Sequence, residues 1–254
     1  MIKVTFLGTG TSHGVPVIGC SCPVCKSKDP KDNRYRSSIL VEKDGTSLVI
    51  DTGYEFRLQC LRAGITHLDG VLYTHDHSDH LMGLDDLRVF SHDCKLPIYT
   101  IESELELIKK KFDYAFKESP FKGVPQLDAN LLEPHKNYKI GTLDVMAIPV
   151  MHGLKLIAGY RFSNIAYITD VSDMLFEENE EYLRNLDVLI IGALREVPHA
   201  THYSFKEALD AGKRIGAKTI YFQHINHSAS HRYIEEKYGP LGAHPAYDGL
   251  VLEV

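Results

Sequence analysis

The segment HDHSDH, which runs from His75 to His80, concentrates metal-ligand side chains directly after an apolar run. His75 and His77 are two residues apart, so on extended backbone their imidazoles point in the same direction. Asp79 and His80 follow where the chain is expected to turn into a helix beginning near Leu81, and they can face a second point beside the first. This mixture of imidazole and carboxylate ligands is typical of a two-metal site for Zn²⁺, Mn²⁺ or Fe.

Three further ligand-type residues follow apolar runs later in the chain. His152 comes after MAIPVM, Asp170 ends IAYITD and His224 ends TIYFQH. Two metals about 3.5 to 4 Å apart need more ligands than one hexapeptide supplies. Because all three residues lie just past the C-terminal ends of predicted strands, we expect them to join the hexapeptide in one site.

A second cluster of soft ligands lies in the segment GCSCPVC, where Cys20, Cys22 and Cys25 form a C-x-C-x-x-C motif. Three thiolates favour a closed, tetrahedral Zn²⁺ site. Such a structural zinc would also explain how the aperiodic segment from about residue 10 to residue 36 is held. The alternative interpretation is three free cysteines.

The fourth zinc ligand must come from elsewhere in the chain. His227 lies three residues after His224 in HINH, so it can reach the cysteine loop if His224 turns into the active site. We expect His227 to be the ligand, with His231 and His244 as the alternatives. Two other histidines, His199 and His202, stand just ahead of a predicted helix in HATHYSFKEAL and are candidates for proton transfer.

The composition sets the class of protein. The chain has 254 residues, a net charge of -6 at pH 7, 44% hydrophobic residues and 24% charged residues. These values predict one globular domain, residues 1–254. The negative charge argues against broad attraction to nucleic acid or anionic lipid. The start MIKVTFLGTGTSHG lacks the features of a signal peptide, so we expect a cytoplasmic protein without a membrane partner.

The predicted elements change in character along the chain. SSILVEKDGTSLVID predicts two strands joined by an Asp44-Gly45 turn, and a short helix follows at Phe56 to Ala63. Strands in the second half alternate with helices, a mixed pattern that favours two sheets packed face to face with helices outside. Further strands are predicted at Ile2 to Leu7, Asp69 to His75, Leu96 to Thr100, Leu143 to Pro149, Ala158 to Phe162, Ile165 to Thr169, Val188 to Gly192, Thr219 to Phe222 and Leu250 to Val254. Further helices are predicted at Glu102 to Phe116, Phe205 to Ile215 and Ser230 to Tyr238, with Gly212 and Gly216 breaking or ending the second, and a mobile flap at Phe116 to Tyr138.

THDHSDH, with IDTG before it and HG, ITD and QH after it in that order, resembles the metallo-β-lactamase superfamily over nearly the whole chain. The resemblance implies an α/β fold, a four-layer αββα sandwich of two mixed sheets with a binuclear centre at one edge. Asp51 is implied to fix a loop without binding metal. The implied ligands are His75, His77 and His152 for one metal, Asp79, His80 and His224 for the other, and Asp170 bridging both.

GTGTSHGVPVIGCSCPVC together with HINH is similar to the PhnP-type branch of this superfamily, which hydrolyses small cyclic phosphodiesters such as 5-phosphoribosyl 1,2-cyclic phosphate and 2',3'-cyclic nucleotides. The chain also lacks an obvious inserted arm of the kind that long-form tRNA 3'-processing nucleases use. The resemblance therefore implies a small substrate, no extended nucleic acid, two divalent metals (Zn or Mn) and one structural zinc. A homodimer is compatible with the sequence.

The expected mechanism is attack on phosphorus by a hydroxide that bridges the two metals, with Asp79 acting in catalysis as well as in ligation. HYSFKEA is similar to the superfamily segment that carries a catalytic histidine in nucleases and phosphodiesterases. This similarity favours His202 as the partner of the leaving group, with His199 as the alternative. Other functions stay open: a lactonase, thioesterase or β-lactamase on the same site, a tRNA 3'-processing nuclease, or a non-catalytic accessory protein in a biosynthetic pathway.

Overall fold

The computed structural model describes residues 1–119 and 123–254 of the chain. Its strands are β1 (Lys3–Gly8), β2 (Ser38–Lys43), β3 (Thr46–Ile50), β4 (Gly70–Leu72), β5 (Leu96–Thr100), β6 (Leu127–Leu131), β7 (Asn137–Ile140), β8 (Leu143–His152), β9 (Lys155–Phe162), β10 (Ile165–Ile168), β11 (Val188–Gly192), β12 (Thr219–Gln223), β13 (Ala243–Pro245) and β14 (Val251–Glu253). Its α-helices are α1 (Phe56–Ala63), α2 (Ser78–Leu81), α3 (Glu102–Lys111), α4 (Phe176–Asn179), α5 (Phe205–Ile215) and α6 (His231–Tyr238).

The strands form two seven-stranded sheets. The first has the order β14-β1-β2-β3-β4-β5-β6 and the second the order β13-β12-β11-β10-β9-β8-β7. Each sheet is mixed, because the pairs from β1 to β3 and from β7 to β10 are antiparallel while those from β3 to β6 and from β10 to β13 are parallel. Two mixed sheets with helices outside confirm the predicted fold class.

Side chains that alternate along the strands fill three apolar layers. In β3, Leu48 and Ile50 point toward the opposite sheet, whereas Val49 points outward to the helices. The layer between the sheets holds large side chains such as Tyr160 and Phe162. One outer layer lies under α1 and α3, and the other lies under α5 and α6. Helix, sheet, sheet and helix are therefore stacked in the order that the resemblance implied.

Several elements lie where short sequence patterns predicted them. Asp44 and Gly45 both have positive φ, 44° and 84°, which is the type I′ geometry expected for the hairpin between β2 and β3. Helix α1 ends at Gly64, whose φ of 68° is left-handed. Helix α5 begins with a capping box between Ser204 and Glu207. These elements match their predicted positions.

Other boundaries differ from the prediction. The helix expected to begin near Leu81 begins at Ser78. Its single turn therefore includes Asp79 and His80. Strand β8 runs three residues past Pro149, to His152. The helix predicted to reach Phe116 ends as an α-helix at Lys111 and continues, after Phe112, as a 3-10 turn.

Gly212 does not break α5. A side chain at this position would lie 2.4 Å from the Cδ1 atom of Ile220, so the glycine permits close packing on β12. Gly216 is the residue that ends the helix.

The short strands β6, β7 and β13 were not predicted. The flap predicted at Phe116 to Tyr138 falls partly on residues 120–122, outside the described residues, and the described remainder includes β6 and the start of β7. Within the described ranges, no helix combines the length and apolarity that crossing a membrane requires.

Candidate metal centre

The predicted ligands lie at the ends of strands from both sheets, at one edge of the sandwich. From the first sheet, β4 leads into His75 and His77, and the single turn of α2 that follows carries Asp79 and His80. From the second sheet, β8 ends at His152, β10 is followed two residues later by Asp170, and β12 is followed by His224. Parallel neighbours bring their C-terminal ends to the same edge, so residues far apart in sequence meet there.

His75, His77 and His152 form the first potential ligand group. One ring nitrogen from each lies within 4.8 Å of the others. The ring centroids of His75 and His77 are 4.4 Å apart, and those of His77 and His152 are 5.1 Å apart. The two alternate histidines of the hexapeptide therefore face the same point, and the hairpin of β8 and β9 supplies the third imidazole.

Asp79, His80 and His224 form the second potential ligand group. The Oδ2 atom of Asp79 lies 3.2 Å from the Nε2 atom of His80 and 3.6 Å from the Nε2 atom of His224. Asp170 reaches His80 with Oδ2 at 3.0 Å and His224 with Oδ1 at 3.1 Å, and it also groups with His75 and His80. Its carboxylate is therefore adjacent to ligands of both groups.

The ring nitrogens of this cluster fit a bound cation. The Nε2 atoms of His75, His80 and His224 are buried, and none makes a hydrogen bond within the described part of the chain, although carboxylate oxygens of Asp79 and Asp170 lie 3.0 to 3.6 Å from the last two. Buried nitrogens of this kind are costly unless something binds them. Imidazole nitrogens mixed with carboxylate oxygens are a ligand set that divalent transition metals accept.

Contacts behind the cluster orient two of the histidines. The Nδ1 atom of His80 lies 2.7 Å from the Oδ2 atom of Asp51, and the Asp51 carboxylate also accepts hydrogen bonds from the backbone N–H and the hydroxyl of Thr74. The Nδ1 atom of His152 lies 2.7 Å from the carbonyl oxygen of Thr201. Each contact fixes the ring so that its Nε2 atom faces the cluster. Residue spacing predicted which side chains meet in the cluster, but it did not reveal these partners.

The charged side chains of the cluster shift one another's pKa values. Burial alone would lower the pKa of His80, but the carboxylates of Asp79, Asp170 and Asp51 outweigh it and raise this pKa well above its usual range. Burial opposes ionisation of Asp170, yet His224 and His80 hold its pKa well below the usual range. The carboxylate is therefore ionised at neutral pH, as a metal ligand must be.

His202 faces the cluster and His199 lies farther out. The ring centroid of His202 is 4.7 Å from that of His152 and 4.9 Å from that of His224. Its Nδ1 atom lies 3.3 Å from the Oδ1 atom of Asp170. Burial, followed by the charge of His224, lowers the pKa of His202 to about 3. His199 is exposed, 5.2 Å from the His202 ring.

His152, Asp170 and His202 also form a potential ligand group. The sequence interpretation gave His202 no ligand role. No local signal distinguishes a ligand from a proton donor at this position, because the same ring is suited to both.

The three cysteines meet His227 in a separate cluster. The sulphur atoms of Cys20, Cys22 and Cys25 each lie 3.4 Å from the Nδ1 atom of His227. A hydrogen bond from the backbone N–H of Cys25 lowers the pKa of Cys22 to about 6, whereas burial raises the pKa of Cys25 to about 11. Three sulphurs and one nitrogen around a point are the ligand set of a closed zinc site.

The two rival histidines lie elsewhere. The backbone N–H of His231 donates to Asp32, and its ring packs edge-on against Tyr247. The Nδ1 atom of His244 lies 2.9 Å from the Oε1 atom of Glu235.

Comparison with known proteins gives a family match and a full-length structural match. A family model described as the beta-lactamase superfamily domain matches residues 46–225. The crystal structure of a new diphosphatase from the PhnP family is 38% identical with a TM-score of 0.91, and the match covers 100% of this chain and 97% of that one. Zn²⁺-bound PqqB from Methylobacterium extorquens shares the fold at 19% identity and a TM-score of 0.77, over 99% of this chain and 100% of that one.

Two curated relatives have other names. A protein of Porphyromonas gingivalis named octanoyltransferase is 37% identical over 98% of this chain, which spans only 51% of that protein. A ribonuclease Z of Methanosarcina acetivorans is 29% identical over 34% of this chain and 24% of its own length. The chain therefore spans about half or less of these two relatives.

Proposed function

The chain belongs to the beta-lactamase superfamily and has the fold of its metal-dependent hydrolases, and on this basis we propose that it is a binuclear phosphodiesterase acting on small cyclic phosphodiesters. The observation that carries the proposal is the pair of adjacent ligand groups, with Asp170 beside both and His202 facing them. Substrates of the 5-phosphoribosyl 1,2-cyclic phosphate or 2',3'-cyclic nucleotide type are the class we favour. We propose that residues 1–254 form one catalytic domain, with a zinc-stapled loop at about 10–36.

Two divalent cations, Zn²⁺ or Mn²⁺, would be held by these two groups. His75, His77 and His152 would bind one, Asp79, His80 and His224 would bind the other, and Asp170 would contact both. A structural Zn²⁺ would be held by Cys20, Cys22, Cys25 and His227. When bound, the two active-site cations supply a nucleophile from water near neutral pH and neutralise charge on the phosphoryl oxygens.

The remaining chemistry falls to side chains of this chain. Asp51 keeps the Nδ1 proton of His80 directed away from the cluster. The leaving alkoxide needs a proton or a hydrogen bond, and His202 faces the cluster from the side of His152 and His224. Its imidazole is uncharged at neutral pH, and the proton that water releases when it becomes the nucleophile can pass to it. We propose that His202 delivers this proton.

Similarity to the PhnP-family structure over the full length favours chemistry at phosphorus, because that match is far stronger in identity than the match to PqqB. The net charge of -6 also disfavours an extended nucleic acid, whose binding depends on cationic contacts to many phosphates. The name octanoyltransferase describes a protein about twice as long, so its activity is not assigned to this chain.

A second candidate function is hydrolysis of a diphosphate bond. It is favoured by the 38% identical PhnP-family structure, which is described as a diphosphatase. Attack at phosphorus would be the same, but the leaving group would be a phosphate, which is a weaker base than an alkoxide. Removal of His202 should therefore impair diphosphate hydrolysis less than phosphodiester hydrolysis.

A side-by-side assay tests the proposal. Purified protein loaded with Mn²⁺ or Zn²⁺ is given bis(p-nitrophenyl) phosphate, 2',3'-cyclic AMP, a dinucleoside diphosphate, a lactone and a cephalosporin. We expect the highest kcat/KM on a phosphodiester. A preference for the dinucleoside diphosphate would favour the second candidate, and a preference for the lactone or the cephalosporin would refute both. A His77→Ala variant, which loses a ligand of the first group, controls for contaminating phosphodiesterases.

A further inference from the structure

Four charged side chains form a network directly behind the first ligand group. Asp76 lies between His75 and His77 in the sequence, and its carboxylate accepts hydrogen bonds from Lys155 and, at 2.6 Å, from Lys111. The Nζ atom of Lys155 also lies 3.0 Å from the Oε1 atom of Glu104. The Oε2 atom of Glu104 accepts the backbone N–H of Asp76 at 2.8 Å.

The two carboxylates of the network are buried, whereas the two lysine side chains are partly exposed. Glu104 is 1% exposed and Asp76 is 8% exposed, so Asp76 depends on both lysines and Glu104 on Lys155 for a charge partner. Removing one member of a buried ionic network costs far more than breaking a surface pair, because it leaves the other charge without compensation. Loss of Lys155 would leave the buried carboxylate of Glu104 without its charge partner, whereas loss of Lys111 would not.

The network joins the elements that carry the first ligand group. Lys155 is the first residue of β9 and pairs with His152, the last residue of β8. Glu104 and Lys111 belong to α3, and Asp76 belongs to the segment that follows β4. Lys155 therefore connects a hairpin of the second sheet to the hexapeptide that follows a strand of the first.

We infer that Lys155 and Glu104 are positioning residues that set the distance between His152 and the pair formed by His75 and His77. Neither side chain is among the groups of described residues that can bind the cations, so both act through the placement of these ligands. The inference rests on the proposed two-metal centre but not on any choice of substrate. Its expected consequence is a selective loss of affinity for the ion held by the first group.

Lys111 provides a matched control within the same network. Its ammonium group binds the side chain and the carbonyl oxygen of Asp76, rather than Glu104 or the β8–β9 hairpin. If the lysines only neutralised Asp76, then Lys111→Met and Lys155→Met would have the same effect. If Lys155 fixes the position of His152, only Lys155→Met should weaken the first site.

The test is a metal titration of the full chain after metal removal. Calorimetry with Zn²⁺ and absorption with Co²⁺ measure each binding step, and the thiolate absorption of Co²⁺ separates the cysteine site from the other two. We expect Lys155→Met to weaken one of the two remaining ions by about 10- to 100-fold, the range seen when a partner of a ligand is removed. We expect Lys111→Met to leave both affinities within a few-fold of wild type.

A comparison with the His77→Ala variant identifies which ion Lys155→Met affects. The ion that Lys155→Met weakens should be the same ion that His77→Ala, which lacks a ligand of the first group, weakens or loses. Glu104→Gln keeps the shape of the side chain and replaces Lys155→Met as the test variant if Lys155→Met does not fold. It should weaken binding of the same ion. Unchanged affinity in Glu104→Gln and Lys155→Met, or equal loss at both ions, would overturn the inference.

The result for the wild type separates this inference from the proposed function. A wild-type chain that binds fewer than two ions besides the cysteine-bound ion would overturn the two-metal centre, and the inference with it. Two ions in the wild type with unchanged binding in Lys155→Met would overturn the inference alone.

Discussion

His224 and His227 lie three residues apart in one loop and face two different clusters. His224 has a positive φ of 57° and directs its Nε2 atom toward Asp170. His227 directs its Nδ1 atom toward the cysteine sulphurs. Between them, Ile225 exchanges backbone hydrogen bonds with the segment that follows β1. A cation held by the cysteines would therefore fix the loop that also carries His224.

The cysteine cluster gives the first prediction. Cys22→Ser should remove one zinc per chain and lower the Tm by about 5 °C or more, because binding of a structural zinc contributes directly to folding free energy. Zinc analysis and thermal unfolding measure the two effects. Cys94→Ser, at an exposed free cysteine, is the control and should change neither. Full zinc content and an unchanged Tm in Cys22→Ser would refute the structural zinc.

The role of His202 gives the second prediction. His202→Ala should lower kcat on a phosphodiester by about 10²- to 10⁴-fold while keeping its metals, because general acid catalysis contributes in that range. His199→Ala, which alters the outer histidine, should stay within a few-fold of wild type. Activity and metal content are measured on the same samples. If His202→Ala loses a metal ion, the ligand group of His152, Asp170 and His202 is the better interpretation.

Asp51 gives the third prediction. In Asp51→Asn the charge that fixes the Nδ1 proton of His80 is lost, so one active-site ion should bind about 10- to 100-fold more weakly. The titration is the same as for the Lys155 variants. Asp69→Asn is the control, because Asp69 also pairs with a histidine, His67, but on the surface. Wild-type metal affinity in Asp51→Asn would show that His80 needs no charged partner.

The fourth prediction concerns stability and pH. Burial, with the charges of Arg34 and Lys31, lowers the pKa of His231 to about 4 from its ordinary 6.5. The unfolded chain therefore takes up this proton first as the pH falls. The stability due to neutral His231 is complete above about pH 6.5 and is lost between there and about pH 4, a change of up to about 3 kcal/mol.

His231→Gln should remove this part of the pH dependence. Urea unfolding of the metal-loaded wild type and variant between about pH 4.5 and pH 7 gives the difference in slope, in which the other histidines cancel. Parallel curves would contradict the shift assigned to His231.

Residue spacing predicted which side chains meet in the cluster better than it predicted the contacts around them. His75 and His77 were recognisable because alternation along extended backbone is a local property, and His152 and His224 because strand ends can be read from short apolar runs. The same alternation directs Asp76 away from the two histidines. Glu104 looks in the sequence like a solvated residue of a helix rich in charge, but in the fold it is buried and its carboxylate contacts Asp76 and Lys155.

Short edge elements were missed for a related reason. The strands β6 and β13 gain their geometry from pairing with a neighbour, and they carry little periodic signal of their own. The start of α2 was misplaced because a single turn built from ligand residues has no amphipathic pattern.

Crystals of the metal-saturated protein allow the central claim to be tested directly by anomalous diffraction at the zinc and manganese edges. We predict two ions within the His and Asp cluster, one bound by His75, His77 and His152 and the other by Asp79, His80 and His224, and a third between the cysteines and His227. A cluster that holds one ion or none under saturating metal would contradict the binuclear centre.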